Sequence, residues 1–236
     1  MLAHMPRYRR IREPGLLHHI MSRGNGRMKI FLDDVDYRKF LYILADVLDL
    51  YDVDCWDVCV MPNHYHLALT NRQPNLSWAM QHLNGEYATW WNGRHGRVGH
   101  TFQGRYKDQI VQNERYLLNL LRYIALNPVR AGLVKLPEQW PWSAYQWTAG
   151  LAPNPGFVCS DVVLGHFGDE GLAVLRERYA RHVLATMTDD NERFHGFRSR
   201  KRILGDRQFK LNLLRRLASP KSRETVVTEV VVAGSV

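Results

Sequence analysis

Cysteines are few in this sequence, and their number and spacing argue against two kinds of structural framework. The 236 residues include three cysteines, Cys55, Cys59 and Cys159, and no CxxC pair. An odd number without such pairs argues against both a disulfide framework and a zinc ribbon. We therefore expect buried thiols.

Long hydrophobic runs are also missing. Although 45% of the residues are hydrophobic, no window approaches the roughly 18 consecutive apolar residues of a membrane-spanning helix. The stretch "MLAHMPRYRRIREPG" contains arginines but lacks the apolar segment of a secretory signal. We expect a soluble protein that has no membrane partner and stays in the cytoplasm.

Several motifs of common enzymes do not occur either. No P-loop, carboxylate pair or acidic triad stands out, and no Ser-His-Asp set can be singled out. The sequence therefore predicts no nucleotide cofactor.

Positive charge is abundant and unevenly distributed. The formal net charge is +9. Between Arg193 and Arg223 there are eleven Lys and Arg residues against one acid, Asp206. This distribution favours a polyanionic partner such as nucleic acid, with a solvated basic surface as the alternative.

Hydrophobic periodicity predicts the element order β-α-β-β-α-β-α in the first half of the chain. The strands are predicted in Leu16–Arg27, Val53–Met61, His64–Thr70 and Gln103–Val111. The first strand ends in a Gly-Asn-Gly turn in which Gly24 and Gly26 are expected at positive φ. The helices are predicted from Asp33–Asp36 to Tyr51, from Leu76 to Gly93 or Gly96, and from Asn113 to just before Pro128.

This order is typical of an α+β fold. It predicts a ferredoxin-like (split βαβ) antiparallel sheet with helices on one face, followed by a C-terminal helical extension. We expect a domain over residues 1–150, a Pro- and Trp-rich strap across it from Leu133 to Pro155, and a basic helical extension over 156–220. Residues 221–236 are expected to form a loose tail.

Two histidines follow the Pro62-Asn63 turn in the stretch "MPNHYHLALT". Residues i and i+2 of a strand project to the same face, so His64 and His66 present two imidazoles side by side. A polar sheet face is the simpler explanation of such a pair, and a metal site needs a further ligand. On the later helix, Tyr123 and Asn127 are four residues apart and share a face.

Three segments together carry a family resemblance. "MPNHYHLALT", "FQGRYKDQIV" and "YLLNLLRYIALNPVRAGLV" resemble the signature segments of the IS200/IS605-like tyrosine (HUH) transposases, in the branch called REP-associated tyrosine transposases. The similarity is collinear over residues 7–150. "RERYARHV" and "KRILGDRQF" are similar to a C-terminal extension found in part of that branch.

The resemblance implies roles for four residues. His64 and His66 match the metal-binding histidine pair, and Tyr123 matches the nucleophile. Asn127 matches a polar residue that is a third metal ligand in related enzymes, often as Gln. The cofactor implied is a divalent metal, Mg²⁺ or Mn²⁺, and the product implied is a 5′-phosphotyrosine with a free 3′-OH. Because Mn²⁺ tolerates nitrogen ligands better than Mg²⁺ does, we predict higher activity with Mn²⁺.

The resemblance also implies a substrate, single-stranded DNA with hairpin or palindromic repeats. On the fourth strand Arg105, Lys107 and Gln109 alternate and are expected to contact phosphates, and Arg23 lies after the first strand. Arg200, Lys201 and Arg202, in the basic C-terminal segment, are expected to grip the hairpin stem; packing of that segment on the catalytic domain is the rival interpretation.

Two other classes of protein stay open. A noncatalytic DNA-binding or regulatory protein could retain the same fold, and the ferredoxin-like plan also occurs in RNA-binding modules. The predicted strands carry no RNP-like aromatic motif, and the presence of His64, His66 and Tyr123 favours an enzyme. The sequence does not decide between a monomer and a homodimer.

Overall fold

The computed structural model describes residues 10–112, 116–185 and 202–218. The strands are β1 (Leu17–Arg23), β2 (Val53–Met61), β3 (His64–Asn71), β4 (Lys107–Val111) and β5 (Ile203–Leu204). The longer helices are α1 (Asp34–Leu50), α2 (Leu76–His95), α3 (Leu117–Ala125), α7 (Leu172–Leu184) and α8 (Arg207–Ala218), and the short ones are α4 (Asn127–Arg130), α5 (Tyr145–Thr148) and α6 (Ser160–Gly165). No helix among the described residues is long and apolar enough to cross a membrane.

The sheet has the predicted ferredoxin-like topology, with strand order β2-β3-β1-β4-β5. β1 lies between β3 and β4 and is antiparallel to both, and β2 is antiparallel to β3. The α+β prediction is therefore confirmed. The sheet departs from a purely antiparallel one at its edge, where β5 from the C-terminal extension pairs parallel to β4.

Local sequence signals explain where the helices begin and end. Asp33 caps α1, because its carboxylate accepts hydrogen bonds from the backbone nitrogens of Val35 and Asp36. α2 runs through Gly93 and ends at Gly96, which takes the left-handed conformation at φ 59°. Pro128, which cannot continue α3, lies in the first turn of α4.

The glycine turn after β1 differs from its prediction at one position. Gly26 has the expected positive φ of 57°, but Gly24 has φ −57°. Glycine is required at position 24 for space, since a Cβ there would lie 2.3 Å from the carbonyl oxygen of Met28.

The two faces of the sheet pack against different helices. Tyr65 and Leu67 of β3 belong to the core beneath α1 and α2, so the helices predicted for one face do lie there. Ala68 and Tyr123 belong to a second core, which α3 and α7 form on the opposite face. The alternation of β3 thus turns His64 and His66 toward α3.

Both edges of the sheet are covered. The predicted strap follows β2: the backbone nitrogen of Val60 donates to Trp142, and the indole of Trp140 donates to the carbonyl of Val60. At the other edge β5 and α8 cover β4, with Leu213 buried against Leu16 and Ile110. Covered edges are protected from pairing with other chains.

The C-terminal extension shares cores with the sheet. Residues of α7 are buried in the same core as α3, and β5 is part of the sheet. The division into domains at 150 and 156 stays a prediction, and the predicted tail, 221–236, lies outside the described residues. Of the cysteines, Cys55 and Cys59 are buried free thiols, and Cys159 is half-buried.

Candidate active site and nucleic-acid interface

The sheet brings His64 and His66 together with Tyr123. The ring centroids of His64 and His66 lie 5.0 Å apart, and the ring of Tyr123 packs edge-on against His66 with centroids 5.5 Å apart. Tyr123 is 5% exposed. Three residues separated by up to 59 positions in the sequence therefore form one cluster between β3 and α3.

Both imidazoles are held in their neutral form. Burial, together with the nearby charge of Arg23, lowers the pKa of His64 to about 4. Burial also lowers the pKa of His66 well below its ordinary value, and His19, His64 and Arg23 add to that effect. A neutral imidazole is the form that binds a metal ion.

Hydrogen bonding fixes which nitrogen of His64 carries the proton. The amide nitrogen of Asn63 donates to the carbonyl of Arg27 at 3.1 Å, so its amide oxygen faces Nδ1 of His64 at 2.6 Å. An oxygen acceptor requires a proton on Nδ1. The lone pair of Nε2 is then available to a ligand.

A third histidine, which the sequence reasoning did not single out, completes the cluster. His19 of β1 is 2% exposed, and its Nε2 lies 2.9 Å from Nδ1 of His66. Its Nδ1 lies 3.1 Å from the amide oxygen of Gln109. Gln109 was expected to contact phosphates, but it is 8% exposed and faces His19 instead. Alternate residues of a strand share a face, so the strand order together with this alternation along β1 and β4 would have placed His19 and Gln109 on the face of His66.

Asn127 lies one turn after Tyr123, as predicted, but its contact is within the helix. Its amide nitrogen donates to the backbone carbonyl of Tyr123 at 2.7 Å. This bond gives Asn127 a capping role at the break between α3 and α4. The guanidinium carbon of Arg130, one turn further on, lies 5.8 Å from the centroid of the Tyr123 ring.

The donor set fits a metal ion in part. His64 and His66 supply adjacent neutral nitrogens, which suit Mn²⁺ better than Mg²⁺. The amide nitrogen of Asn127 is engaged with Tyr123, which leaves its amide oxygen as the atom that could bind a metal, so its role as a third ligand stays a prediction. The described residues contain no group of three or more His, Cys, Asp or Glu that could hold a metal. The candidate donors among the described residues are therefore the two histidine nitrogens, with the amide oxygen of Asn127 as the predicted third.

The helix that carries Tyr123 is anchored by the C-terminal extension. One nitrogen of His182, on α7, lies 2.8 Å from the guanidinium of Arg122, and the other lies 3.0 Å from the carbonyl of Leu118. Arg122 and Leu118 both lie on α3, one helical turn apart. The position of Tyr123 thus depends on residues far outside the first 150.

A basic cavity of about 700 Å³ lies at the end of β1 and the start of β4. It brings together four of the predicted DNA-binding residues, and its cations are Arg10, Arg23, Arg105, Lys107 and Arg202. Its one acid, Asp108, is paired with His18 at 2.8 Å. Arg200 and Lys201, also predicted to bind DNA, lie outside the described residues.

The cavity adjoins the histidine cluster. Met21, in its wall, pairs across β1 with His66 on one side and with Lys107 on the other. Arg23 pairs with His64. The guanidinium of Arg10 stacks on the Tyr106 ring at 3.5 Å and donates to the Tyr106 carbonyl at 3.0 Å.

Comparison with known proteins shows which family this chain is similar to. Residues 14–127 match the model of the family described as "Transposase IS200 like". Over these residues the chain is similar to the IS200-like transposases, and the predicted resemblance is confirmed.

Two relatives belong to the REP-associated branch. A curated Haemophilus influenzae protein, named as a REP-associated tyrosine transposase, is 24% identical over 152 residues, which cover 60% of this chain and 86% of that protein. A solved structure of a REP-associated tyrosine transposase bound to a REP hairpin matches with a TM-score of 0.54 at 20% identity, covering 66% of this chain and 90% of the other. At that identity the likeness demonstrates a shared fold.

Proposed function

We propose that this protein cleaves and rejoins single-stranded DNA at hairpin repeats through a covalent bond to Tyr123. The observation that carries the proposal is the packing of Tyr123 against His66, which in turn contacts His64, beside a cavity lined by five cations. The similarity to the IS200-like transposases and the hairpin bound by the structural relative support it.

The reaction is a transesterification. The phenolic oxygen of Tyr123 attacks the scissile phosphorus; the Oη–P bond forms as the bond from phosphorus to the 3′ oxygen breaks, and the leaving oxygen takes up the proton that the phenol loses. The products are a 5′-phosphotyrosine and a free 3′-OH. A 3′-OH of another strand can reverse the step, so rejoining needs no nucleotide cofactor.

The residues around Tyr123 serve this step by holding and neutralising charge. His64 and His66 would hold the divalent ion, which when bound neutralises charge on the phosphate and orients it. Burial of Tyr123 excludes water from the phosphoryl group. Arg130, 5.8 Å from the ring, places positive charge beside the developing phenolate.

Arg130 gives a prediction that separates catalysis from binding. We expect Arg130→Ala to lower the cleavage rate about 100-fold, the effect of removing one preorganised charge from a transition state, with hairpin affinity unchanged. Single-turnover cleavage and a binding titration measure the two. The Arg130→Lys protein should keep part of the rate, and guanidinium added to the Arg130→Ala protein should restore part of it. If Arg130→Ala lost rate and affinity equally and guanidinium did not restore the rate, Arg130 would serve folding or binding instead.

The basic cavity is proposed to bind the DNA backbone next to the cleaved bond. Arg105 and Lys107 are exposed on its wall and Met21 links it to His66. Arg202 lies directly before β5, and its backbone carbonyl accepts a hydrogen bond from the backbone nitrogen of Ile110 on β4. This bond holds Arg202 beside the cavity. The C-terminal extension would therefore contribute to substrate binding as part of the sheet.

Neutralising the cavity should change the salt dependence of binding. Each lost phosphate contact lowers the slope of log affinity against log salt by about 0.7 for a single strand, so we expect Arg105→Gln with Lys107→Gln to lower it by about 1.4. Arg38→Gln, an exposed cation paired with Asp34 on α1, is the matched control. Equal slopes in all three proteins would move the binding site elsewhere.

The proposed function is tested by a denaturing gel. Purified protein is mixed with labelled single-stranded hairpin oligonucleotides from the gene's own flanks, with Mn²⁺ or Mg²⁺. A labelled band that migrates with the protein is expected. Binding without any adduct, across both metals and all oligonucleotides, would instead support a noncatalytic DNA-binding protein.

A further inference from the structure

We propose that Gln109 and His19 act as a relay that fixes the proton of His66 on Nδ1 and so presents Nε2 of His66 as the ligating nitrogen. This inference rests on the proposed function, because it concerns the same histidine pair. Gln109 and His19 would be positioning residues, since they act through His66 and not on the substrate.

The hydrogen bonds form a chain from β4 across β1 to β3. The amide oxygen of Gln109 lies 3.1 Å from Nδ1 of His19, and Nε2 of His19 lies 2.9 Å from Nδ1 of His66. The rings of His19 and His66 are stacked, with centroids 5.1 Å apart and planes 19° apart. All three side chains are at least nine-tenths buried.

Gln109 determines which atom donates in each hydrogen bond of this series. The amide oxygen of Gln109 can only accept, so Nδ1 of His19 carries the proton of that ring. Neutral His19 then has its lone pair on Nε2, which can only accept from Nδ1 of His66. His66 is left with its own lone pair on Nε2.

The result matches His64, whose Nδ1 proton is fixed independently by Asn63. Two separate hydrogen-bond systems therefore give both histidines the same tautomer, in which Nδ1 carries the proton and Nε2 carries the lone pair that can bind a metal. Partners of this kind orient the imidazole ligands of metal sites and raise their affinity. His19 and Gln109 are buried polar side chains outside the apolar cores, and they acquire a role by this account.

The tautomer is measured directly on the full chain without metal or DNA. In ¹⁵N-histidine-labelled protein, two-bond ¹H–¹⁵N correlations report which ring nitrogen is protonated, and the His66 signals are assigned by their loss in His66→Gln. We expect the Nδ1–H form in the wild type. An Nε2–H form of His66 would overturn the relay.

The second readout is Mn²⁺ affinity, followed by electron paramagnetic resonance without DNA. We expect Gln109→Leu to weaken Mn²⁺ binding about 10- to 100-fold, the effect of losing an outer partner of a ligand, and to mix the His66 tautomers. Gln109→Glu, which keeps an oxygen acceptor, should retain both the affinity and the tautomer. A folded Gln109→Leu protein with unchanged affinity and tautomer would contradict the proposal.

The two readouts also separate this inference from the proposed function. If wild-type protein bound no Mn²⁺ and formed no adduct, the proposed function would fail, while the His66 tautomer would still decide the relay. If cleavage were intact and His66 carried its proton on Nε2, the relay alone would fail.

Discussion

Replacing Tyr123 by phenylalanine should abolish the covalent adduct between the protein and DNA. The change removes only the phenolic oxygen, so cleavage should fall at least about 1,000-fold, as it does when other enzymes lose their nucleophile. The aromatic ring would still pack against His19 and His66, whose centroids lie 5.6 and 5.5 Å away. The fold and the affinity for the hairpin should therefore be retained.

The matched control is Tyr116→Phe. Tyr116 is half-buried directly before α3 and packs against the same core. The Tyr116→Phe protein should form the adduct at the wild-type rate. An adduct that persists in Tyr123→Phe would require another nucleophile, and its absence from both variants would indicate that α3 has lost its position.

The sequence was sufficient to predict the first four strands because their signals are local. Val53–Met61 and His64–Asn71 are separated by a Pro-Asn turn, and both strands follow the predicted bounds to within one residue. β4 is shorter than predicted and begins at Lys107. The pattern predicts a start at Gln103, but the backbone nitrogen of Gln103 donates to the carbonyl of Arg23, and Gly104 has a φ of 146°.

β5 was missed because its signal is not local. Ile203 and Leu204 are two residues in a basic segment, and they form a strand only by pairing with Ile110 and Val111. Such a contact depends on tertiary context and not on propensity. The same holds for Arg202, whose approach to Lys107 and Arg105 follows from that pairing.

The candidate site was predictable where the spacing was short. His64 and His66 follow from the period of a strand, and Tyr123 and Asn127 from the period of a helix. His19 was missed because it lies beside His66 on β1 and β3, strands that are neighbours in the sheet but far apart in the sequence, and a histidine in an apolar strand has no distinctive spacing. Gln109 was assigned to the phosphate surface because its face of β4 was judged without the neighbouring strand.

Replacing one histidine of the pair should cause the second large loss of adduct formation. We expect His64→Ala to lower adduct formation at low Mn²⁺ at least about 100-fold, because one of the proposed protein ligands would be lost. His64 is half-buried, and its side-chain partner is Asn63, so its truncation removes little from the core. The rate should recover in part as Mn²⁺ is raised, since weaker binding is offset by concentration. Tyr123→Phe should show no such recovery.

The control for this variant is His82→Ala, which removes an exposed histidine paired with Glu86 on α2. It should match the wild type at every metal concentration. Because His64 and His66 would both supply nitrogen ligands, the wild type should be more active with Mn²⁺ than with Mg²⁺ and inactive in a chelator. Full activity in the chelator, or a His64→Ala rate equal to that of the wild type, would remove the metal from the mechanism and leave Arg130 and the basic cavity to neutralise the phosphate.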